Sequence, residues 1–580
     1  MVNYFSLPLT ARRAFTPNIW DIIAFSLIIA GFVLVAHEAR VTSLPLAVID
    51  ATPVSLDPAN LPEYALRTMM RMVAAIAASL VFTLIYATLA AKSRRAELVL
   101  IPILDILQSV PVLGFLSFTV VFFLGLFPGR VLGAEFAAIF AIFTSQAWNM
   151  TFSFYQSLRT VPEDLEEAAM CFHLSGWQKF WRLDVPFAMP GLVWNTMMSM
   201  SGGWFFVVAS EAISVGDTTI TLPGIGSYVA LAIKQQDLRA VGLAVLTMFV
   251  VIMLYDQLLF RPVVAWAEKF RFEQTAAQEV PRSWVLDMFR RARVWSRVSM
   301  PFARIVRFIA GRRLALPRPL REVMSYAASQ RVGRLLDGMW FVLVSAAAAY
   351  GIWQVAAFVR TSLTVDDVVH AAVVGGVTLL RVVVLMALAT IIWVPIGVWV
   401  GLRPSLAQKV QPLAQFLAAF PVNIVFPLVV VGIVRFRLNP DIWLSPLMVL
   451  GTQWYILFNV IAGASTFPSD LKEAAANFHI KGRQWWLKVM LPGIFPYYIT
   501  GAITASGGSW NASIVAEVAS WGDTKLTATG IGSYIAQATE SGDYPRIVLG
   551  IAVMSLYVVM FNRMLWRPLY AFAERRLRLS

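Results

Sequence analysis

Apolar residues in this chain run in long, nearly unbroken stretches instead of alternating with polar ones. Residues 20–36 read WDIIAFSLIIAGFVLVA and residues 240–260 read AVGLAVLTMFVVIMLYDQLLF. A run of about 20 apolar residues matches the hydrocarbon thickness that a helix must cross. Twelve such spans are predicted, six on each side of a polar, basic segment. They fall near 19–37, 66–91, 98–127, 131–157, 187–212 and 240–262, then near 336–359, 371–402, 408–437, 441–464, 493–518 and 546–567. The expected fold class is therefore all-α and polytopic. Its expected parts are a six-helix unit at 1–262, a basic connector at 263–335 and a second six-helix unit at 336–580.

Composition agrees with that pattern. The chain has 580 residues, 58% of them hydrophobic and 14% charged, against about 45–50% and about 25% in a soluble domain. Arg12 and Arg13 precede the first apolar run, which is long and lacks a clean small-residue cleavage site. It reads as a retained helix. The single cysteine, Cys171, excludes an internal disulfide and a cysteine-based metal cluster, and the four histidines are widely spaced. No metal site is expected.

Charge adds orientation. The net charge is +14, and the segment from Arg261 to Arg334 holds 16 Lys/Arg against 5 Asp/Glu, a local net of +11. Between two membrane blocks such a segment reads as a cytoplasmic loop under the positive-inside rule, not as a nucleic-acid site. An even number of spans per unit then puts both termini in the cytoplasm, with Arg575, Arg576 and Arg578 in the tail. The pieces FRRARVWSRV and FARIVRFIAGRRL interleave Arg with Phe, Trp and Ile, a pattern that suits a helix lying on anionic headgroups. A plain solvated linker is the alternative.

The chain also repeats itself. Residues 162–186 align without gaps to 468–492 at an offset of 306, with 11 of 25 positions identical, and 201–228 align to 507–534 with 13 of 28. Upstream the offset is 310, pairing Arg71 with Arg381 and Pro111 with Pro421. Both copies start on the same side of the membrane, so they are parallel repeats about an axis along the membrane normal.

The repeated polar segment follows the fourth span and reads as helix, turn, helix. Glu163, Asp164, Glu166 and Glu167 favour a helix N-terminus, and Ala168 and Ala169 allow another surface to approach closely. Gly176 is expected to break the helix, and Pro186 marks entry to the fifth span. The motif is Glu167-Ala168-Ala169…Gly176…Val185-Pro186 and Glu473-Ala474-Ala475…Gly482…Leu491-Pro492. It resembles the EAA loop of permease subunits in binding-protein-dependent ATP-binding-cassette importers. The resemblance covers roughly 66–271 and 371–578. It implies that each loop forms a coupling helix docking into an ATPase subunit. Relatives mostly carry one repeat per chain and dimerise; here the repeats are fused, so one chain should serve two ATPase subunits.

No G-x-x-x-x-G-K-[ST] loop is present, so ATP and Mg belong to the partner ATPase. The chain is expected to bind no cofactor and to catalyse nothing. The implied partners are two ATPase subunits, a periplasmic or lipid-anchored solute-binding protein and membrane lipid, with no nucleic acid. The implied location is the bacterial inner membrane.

A second signature follows each fifth span: Trp204…Glu211…Ser214-x-Gly216-Asp217-Thr218…Gly224-Ile225-Gly226-Ser227-Tyr228, and Trp510…Glu517…Ser520-x-Gly522-Asp523-Thr524…Gly530-Ile531-Gly532-Ser533-Tyr534. It looks like the nitrate/sulfonate/taurine branch of that family, which implies a small oxyanion or related organic acid as solute. Ionisable groups near membrane depth are costly and often functional. Arg71, Arg381, Glu211 and Glu517 are therefore candidates for the translocation pathway, with Trp204, Trp510 and Asn423 beside them. Plainer alternatives are Arg–Glu pairs that pin helices and tryptophans that only pack. Asp105 and Gln108 are further candidates to line the path, and His173 and His479 are expected to pack against the ATPase. An ion-gradient carrier and a non-transporting scaffold are the rival functions; neither calls for two ATPase-docking loops.

Overall fold

The structure, a computed structural model, describes residues 18–42, 54–109, 112–215, 218–270, 283–298, 300–312, 330–465 and 467–576. Arg12, Arg13, Pro111, Gly216, Asp217 and Arg578 lie outside these residues, as does the side chain of Asp105.

Helices dominate because each long apolar stretch has to satisfy its backbone internally in lipid. In the first unit they are α1 (Ile19–Thr42), α2 (Leu61–Lys92), α3 (Arg94–Ser109), α4 (Leu116–Leu126), α5 (Val131–Arg159), α6 (Glu163–Cys171) and α7 (Val185–Glu211). An antiparallel hairpin, β1 (Ala212–Val215) with β2 (Thr218–Thr221), precedes α8 (Ile225–Lys234) and α9 (Leu238–Tyr255). Short helices described in the connector include α10 (Trp284–Arg291), α11 (Arg293–Val298) and α12 (Met300–Gly311). The second unit repeats the plan with α13 (Gln330–Ser362), α14 (Val365–Gly401), α15 (Pro404–Ala419), α16 (Phe426–Arg435), α17 (Gln453–Ser465), α18 (Ser469–Asn477) and α19 (Leu491–Ala516). It ends with the hairpin β3 (Val518–Trp521) and β4 (Thr524–Thr527), then α20 (Ile531–Glu540), α21 (Tyr544–Phe561) and α22 (Arg567–Arg576).

Among the described residues, six helices are long and apolar enough to span a membrane, or eight if two bent pairs each count as one span. The bent pairs are Pro404–Ala419 with Val422–Arg435, kinked by 75°, and Pro440–Leu450 with Gln453–Ser465, kinked by 42°. The remaining predicted spans are helical too. Helices α7 and α19, of 27 and 26 residues, are about 40 Å long, but their sequences are interrupted by Ser, Asn and Gly. Both bury much of their surface inside the bundle, where small and polar residues let helices approach. The chain is an all-α, polytopic membrane protein, and the apolar residues on its outer face, such as Val81, Ile85 and Leu89 of α2, are what a lipid-facing surface requires.

The internal repeat extends to irregular backbone. π-Helical turns occur at Phe180–Asp184 and Trp486–Met490, and again at Asp256–Phe260 and Asn562–Trp566. The hairpins and the left-handed residues His173 (φ 48°) and His479 (φ 52°) hold the same 306-residue offset. One difference stands out. Helix α5 is continuous over 29 residues, whereas its counterpart is broken at Leu450–Gln453. The two units meet through Asn511 Oδ1, which accepts from the Val112 N–H (2.7 Å), and through the stacked rings of Trp194 and Phe458 (5.6 Å).

Candidate functional site

Helix α7 runs from the end carrying the polar loop to the end carrying the hairpin, and each end builds a distinct feature. At the loop end, α6 begins with three acidic residues in its first turn. It ends at His173, not at Gly176 as the sequence suggested. His173 takes the left-handed conformation, and the Leu174 N–H returns to the Ala169 carbonyl (3.1 Å). In the second copy Ile480 returns to Ala475 (2.9 Å) past His479. These six-to-one bonds close the helix in the Schellman manner, so the repeated histidines serve as helix terminators.

Gly176 instead opens the turn that leads to α7. Neither Gly176 nor Gly482 has an atom within 4 Å of where a Cβ would stand. Gly482 needs its glycine for φ (+58°); Gly176 is not held to glycine by any such contact. Ala169 and Ala475 are buried against the chain, while Glu167, Ala168 and Glu473 face outward and Ala474 is half-buried. Met170, Phe172 (76% exposed) and Phe478 (79% exposed) form apolar tips on otherwise polar loops.

At the hairpin end, Glu211 is the last residue of α7 and is fully buried. Arg71 of α2 donates from Nη1 to Glu211 (2.7 Å) and from Nε and Nη2 to both carboxylate oxygens of Glu135 on α5 (2.7 and 2.6 Å). Thr68 donates to Glu211 Oε1 (2.7 Å), and the Gly226 N–H donates to Oε2 (2.6 Å). Close approach explains the Gly-Ile-Gly motif. A Cβ on Gly224 would stand 2.3 Å from the Glu211 carboxyl carbon, and one on Gly226 would stand 2.3 Å from the Val208 carbonyl oxygen.

The second copy builds the same latch more loosely. Glu517 accepts from Thr378 (2.8 Å), Arg381 Nη1 (3.2 Å) and the Ser533 N–H (3.1 Å). Arg381 Nη2 donates to Asp441 (2.9 Å), which stands 306 residues after Glu135 but is about half exposed. Sequence reasoning singled out the Arg–Glu pairs and missed Glu135 and Asp441. The offset that paired the loops would have paired these two carboxylates as well.

Between the units lies a cavity of about 300 Å³, lined by α5, α7, α19 and the broken span. Its polar groups include Asn149, Asn195, Asn459, Asn511, Thr452 and Thr504, set among Trp148, Trp194, Phe205 and Tyr455. No ionisable acid or base lines it among the described residues. Thr500 also lines a second cavity of about 580 Å³ toward the loop end, where Arg159 contributes a cation. Gln108 lines the first cavity; Arg71, Trp204, Glu211, Arg381, Asn423, Trp510 and Glu517 do not. Trp204 and Trp510 are buried in the packed core, Trp204 edge-on to Tyr255 (5.5 Å). Asn423 sits at the kink after α15 and donates across the interface to the Phe205 carbonyl (3.4 Å).

Residues 79–261 and 393–578 match the family described as binding-protein-dependent transport system inner membrane component. The chain belongs to this family. It carries the family domain twice, as fused permease repeats, and each match contains one polar loop and one hairpin with its buried glutamate. Among similar curated proteins are the nitrate import permease protein NrtB of Leptolyngbya laminosa, 28% identical over 185 residues, and the bicarbonate transport system permease protein CmpB of Synechococcus elongatus, 29% identical over 188. These alignments cover 32% of this chain and 63% and 64% of the relatives. The glycine betaine/carnitine transport permease protein GbuB of Listeria monocytogenes is 29% identical over 173 residues, covering 29% of this chain and 54% of the relative. The chain thus spans a little under two thirds of the length of these permeases.

Proposed function

We propose that this chain supplies both permease halves of one ATP-driven importer for a small oxyanion, in the bacterial inner membrane, with both termini in the cytoplasm. Two ATPase subunits, which hold ATP and Mg, dock on the two EAA loops. A periplasmic or lipid-anchored binding protein delivers solute at the hairpin end. The paired cavity between the units carries this reading. Among the described residues its lining supplies neutral amide and hydroxyl donors and no carboxylate, so an anion meets hydrogen bonds there without a repelling charge. Neutral donors bind an anion weakly enough for release, as conduction requires. Arg159 in the adjoining cavity offers an attractive charge toward the loop end.

The relatives that transport nitrate and bicarbonate make these the first solutes to assay, with sulfonates next. The loops supply the coupling surface: Glu167, Ala168 and Gly176 in one copy and Glu473, Ala474 and Gly482 in the other, with Ala169 and Ala475 seating each helix on the permease. The seven residues of the latches and interface (Arg71, Trp204, Glu211, Arg381, Asn423, Trp510 and Glu517) position the helices around the path. The test is reconstitution of the chain with co-purifying ATPase subunits in liposomes. ATP-dependent uptake of labelled nitrate or bicarbonate, lost in a Glu167→Arg/Glu473→Arg variant that still folds, is the expected result. Uptake driven by an ion gradient without ATPase subunits would overturn it.

A further inference from the structure

Among the described residues the connector's hydrogen bonds to the polar loops go to the first one. Helix α12 ends at Gly311, where carbonyls run short of backbone partners, as at any helix C-terminus; the Ile309 carbonyl takes the Arg312 N–H (3.2 Å) and has a lone pair to spare. The turn after the first loop adds donors: Trp177 Nε1 donates to the Ile309 carbonyl (2.8 Å) and Gln178 Nε2 to the Gly311 carbonyl (2.7 Å). Gln178 is buried, and its Oε1 accepts from the Ser175 N–H (3.0 Å) in a capping box. One side chain therefore ties the loop turn and the connector together. At offset 306, Arg483 replaces Trp177 and Lys481 replaces Ser175, and the capping box is gone.

The rest of the connector is anchored as well. Asp21 of α1 accepts from the N–H groups of Val294 and Trp295 at the start of α11 (2.8 and 3.1 Å), and Asn18 donates to the Arg291 carbonyl (2.8 Å). The first membrane helix, the connector and the first loop thus form one hydrogen-bonded strap.

On the outward face of α12 the Arg312 guanidinium lies over the Phe308 ring (4.5 Å). Ile305, Phe308 and Ile309 are exposed on one face at i, i+3 and i+4, with Arg304 and Arg307 exposed beside them. The helix ends against the turn that feeds α7 into the membrane block. An apolar stripe flanked by arginine, in a segment of net charge +11, fits an anionic bilayer surface: rings and aliphatic chains enter the acyl boundary and guanidinium groups meet phosphate. We infer that α12 binds anionic lipid headgroups and, through Trp177 and Gln178, holds the first loop in place. The first loop responds to membrane charge and the second does not. The lipid contact stands independently of the ATPase reading; only its effect on coupling rests on that reading.

The experiment is hydrogen–deuterium exchange on the full chain in nanodiscs of phosphatidylcholine alone, or with about one third phosphatidylglycerol. Anionic lipid should slow exchange in 300–311 and 163–171 and leave 469–477 unchanged. Each arginine near such a surface contributes about fivefold in occupancy, so Arg304→Gln/Arg307→Gln should weaken the response roughly 25-fold. Trp177→Phe/Gln178→Ala should leave the response of 300–311 intact and abolish that of 163–171. The unchanged second loop is the internal control for folding. Equal exchange of 300–311 in both lipids overturns the inference. So does protection that arises only when ATPase subunits are added, which would make the outward face an ATPase contact.

Discussion

Replacing Arg71 by Met should destabilise the protein far more than replacing Arg381 by Met, although the two occupy matching positions in the repeat. The side chain of Arg71 is 3% exposed and holds two carboxylates, Glu135 at 9% and Glu211 at 0%. Removing it strands both acids away from water. Glu211 keeps its bonds from Thr68 and Gly226, but both bonds of Glu135 described above come from Arg71. Breaking a buried charge set by removing one partner costs about 3–5 kcal/mol. Arg381 is 12% exposed and its second acid, Asp441, 47% exposed. Asp441 also accepts from the Thr529 N–H (2.6 Å), so water and backbone take over once Arg381 is gone. The expected cost there is about 1–3 kcal/mol. The difference of about 2 kcal/mol is roughly 30-fold in the unfolding equilibrium. Equilibrium unfolding in mixed dodecyl maltoside and SDS micelles, followed by tryptophan fluorescence, measures it. Equal costs at the two positions, or a larger one at Arg381, would refute the reasoning. Adding Glu135→Leu and Glu211→Gln to Arg71→Met should recover at least half the loss, because no unpaired charge then remains.

Other outcomes follow from the same geometry. Gly226→Ala and Gly532→Ala should impair folding, since each new Cβ would meet backbone at 2.3–2.5 Å, whereas Gly242→Ala, in open space within α9, should stabilise by about 1 kcal/mol; micelle titration distinguishes them. His173→Gly and His479→Gly should be neutral or stabilising by up to about 1 kcal/mol, because glycine tolerates the left-handed conformation better, and ATPase recovery on pull-down should be unchanged. Asn149→Asp and Asn459→Asp each put a carboxylate among the amide and hydroxyl groups of the cavity; oxyanion uptake should fall at least tenfold, with expression and ATPase recovery intact. Trp204→Phe should cost less than about 2 kcal/mol, since the buried indole N–H has no hydrogen-bond partner among the described residues, while Trp204→Ala should cost about 3–5 kcal/mol.

Much of the architecture was legible in the chain. Lipid imposes runs of apolar residues, and those runs mark the helices without any need for contacts. The 306-residue offset also reaches features that propensity alone would not reveal, such as the π turns and the left-handed histidines. The cavity lining was less legible. Asn149, Asn195 and Asn459 sit singly within apolar runs, and only the packing of two units decides that they face a common space. The charged residues drew attention because they are costly at membrane depth, yet that cost is what drives Arg71 and Glu211 into a buried, fully bonded latch away from the cavity. Trp177 and Gln178 look like ordinary loop residues; their partners lie about 130 residues away, beyond any local pattern.

Fusion of the repeats bears on why the two halves differ. In a twofold homodimer every substitution appears twice, and an interface patch must complement its own copy. Joining the repeats removes that constraint, and the differences cluster at sites where one copy carries something the other lacks. Glu135 is buried where Asp441 is half exposed, Trp177 and Ser175 stand where Arg483 and Lys481 do, and Arg159 stands where Ser465 does. The C-terminus of α12 is bonded to the first loop, through Trp177 and Gln178. A single strap therefore breaks the symmetry of the loops. The tight latch and the strapped loop fall in the same half, the one with the continuous α5, whereas the looser latch falls in the half whose fourth span is broken. The tighter packing around Arg71 predicts that the first repeat carries more of the stability than the second, and the paired Arg71 and Arg381 variants measure that division directly.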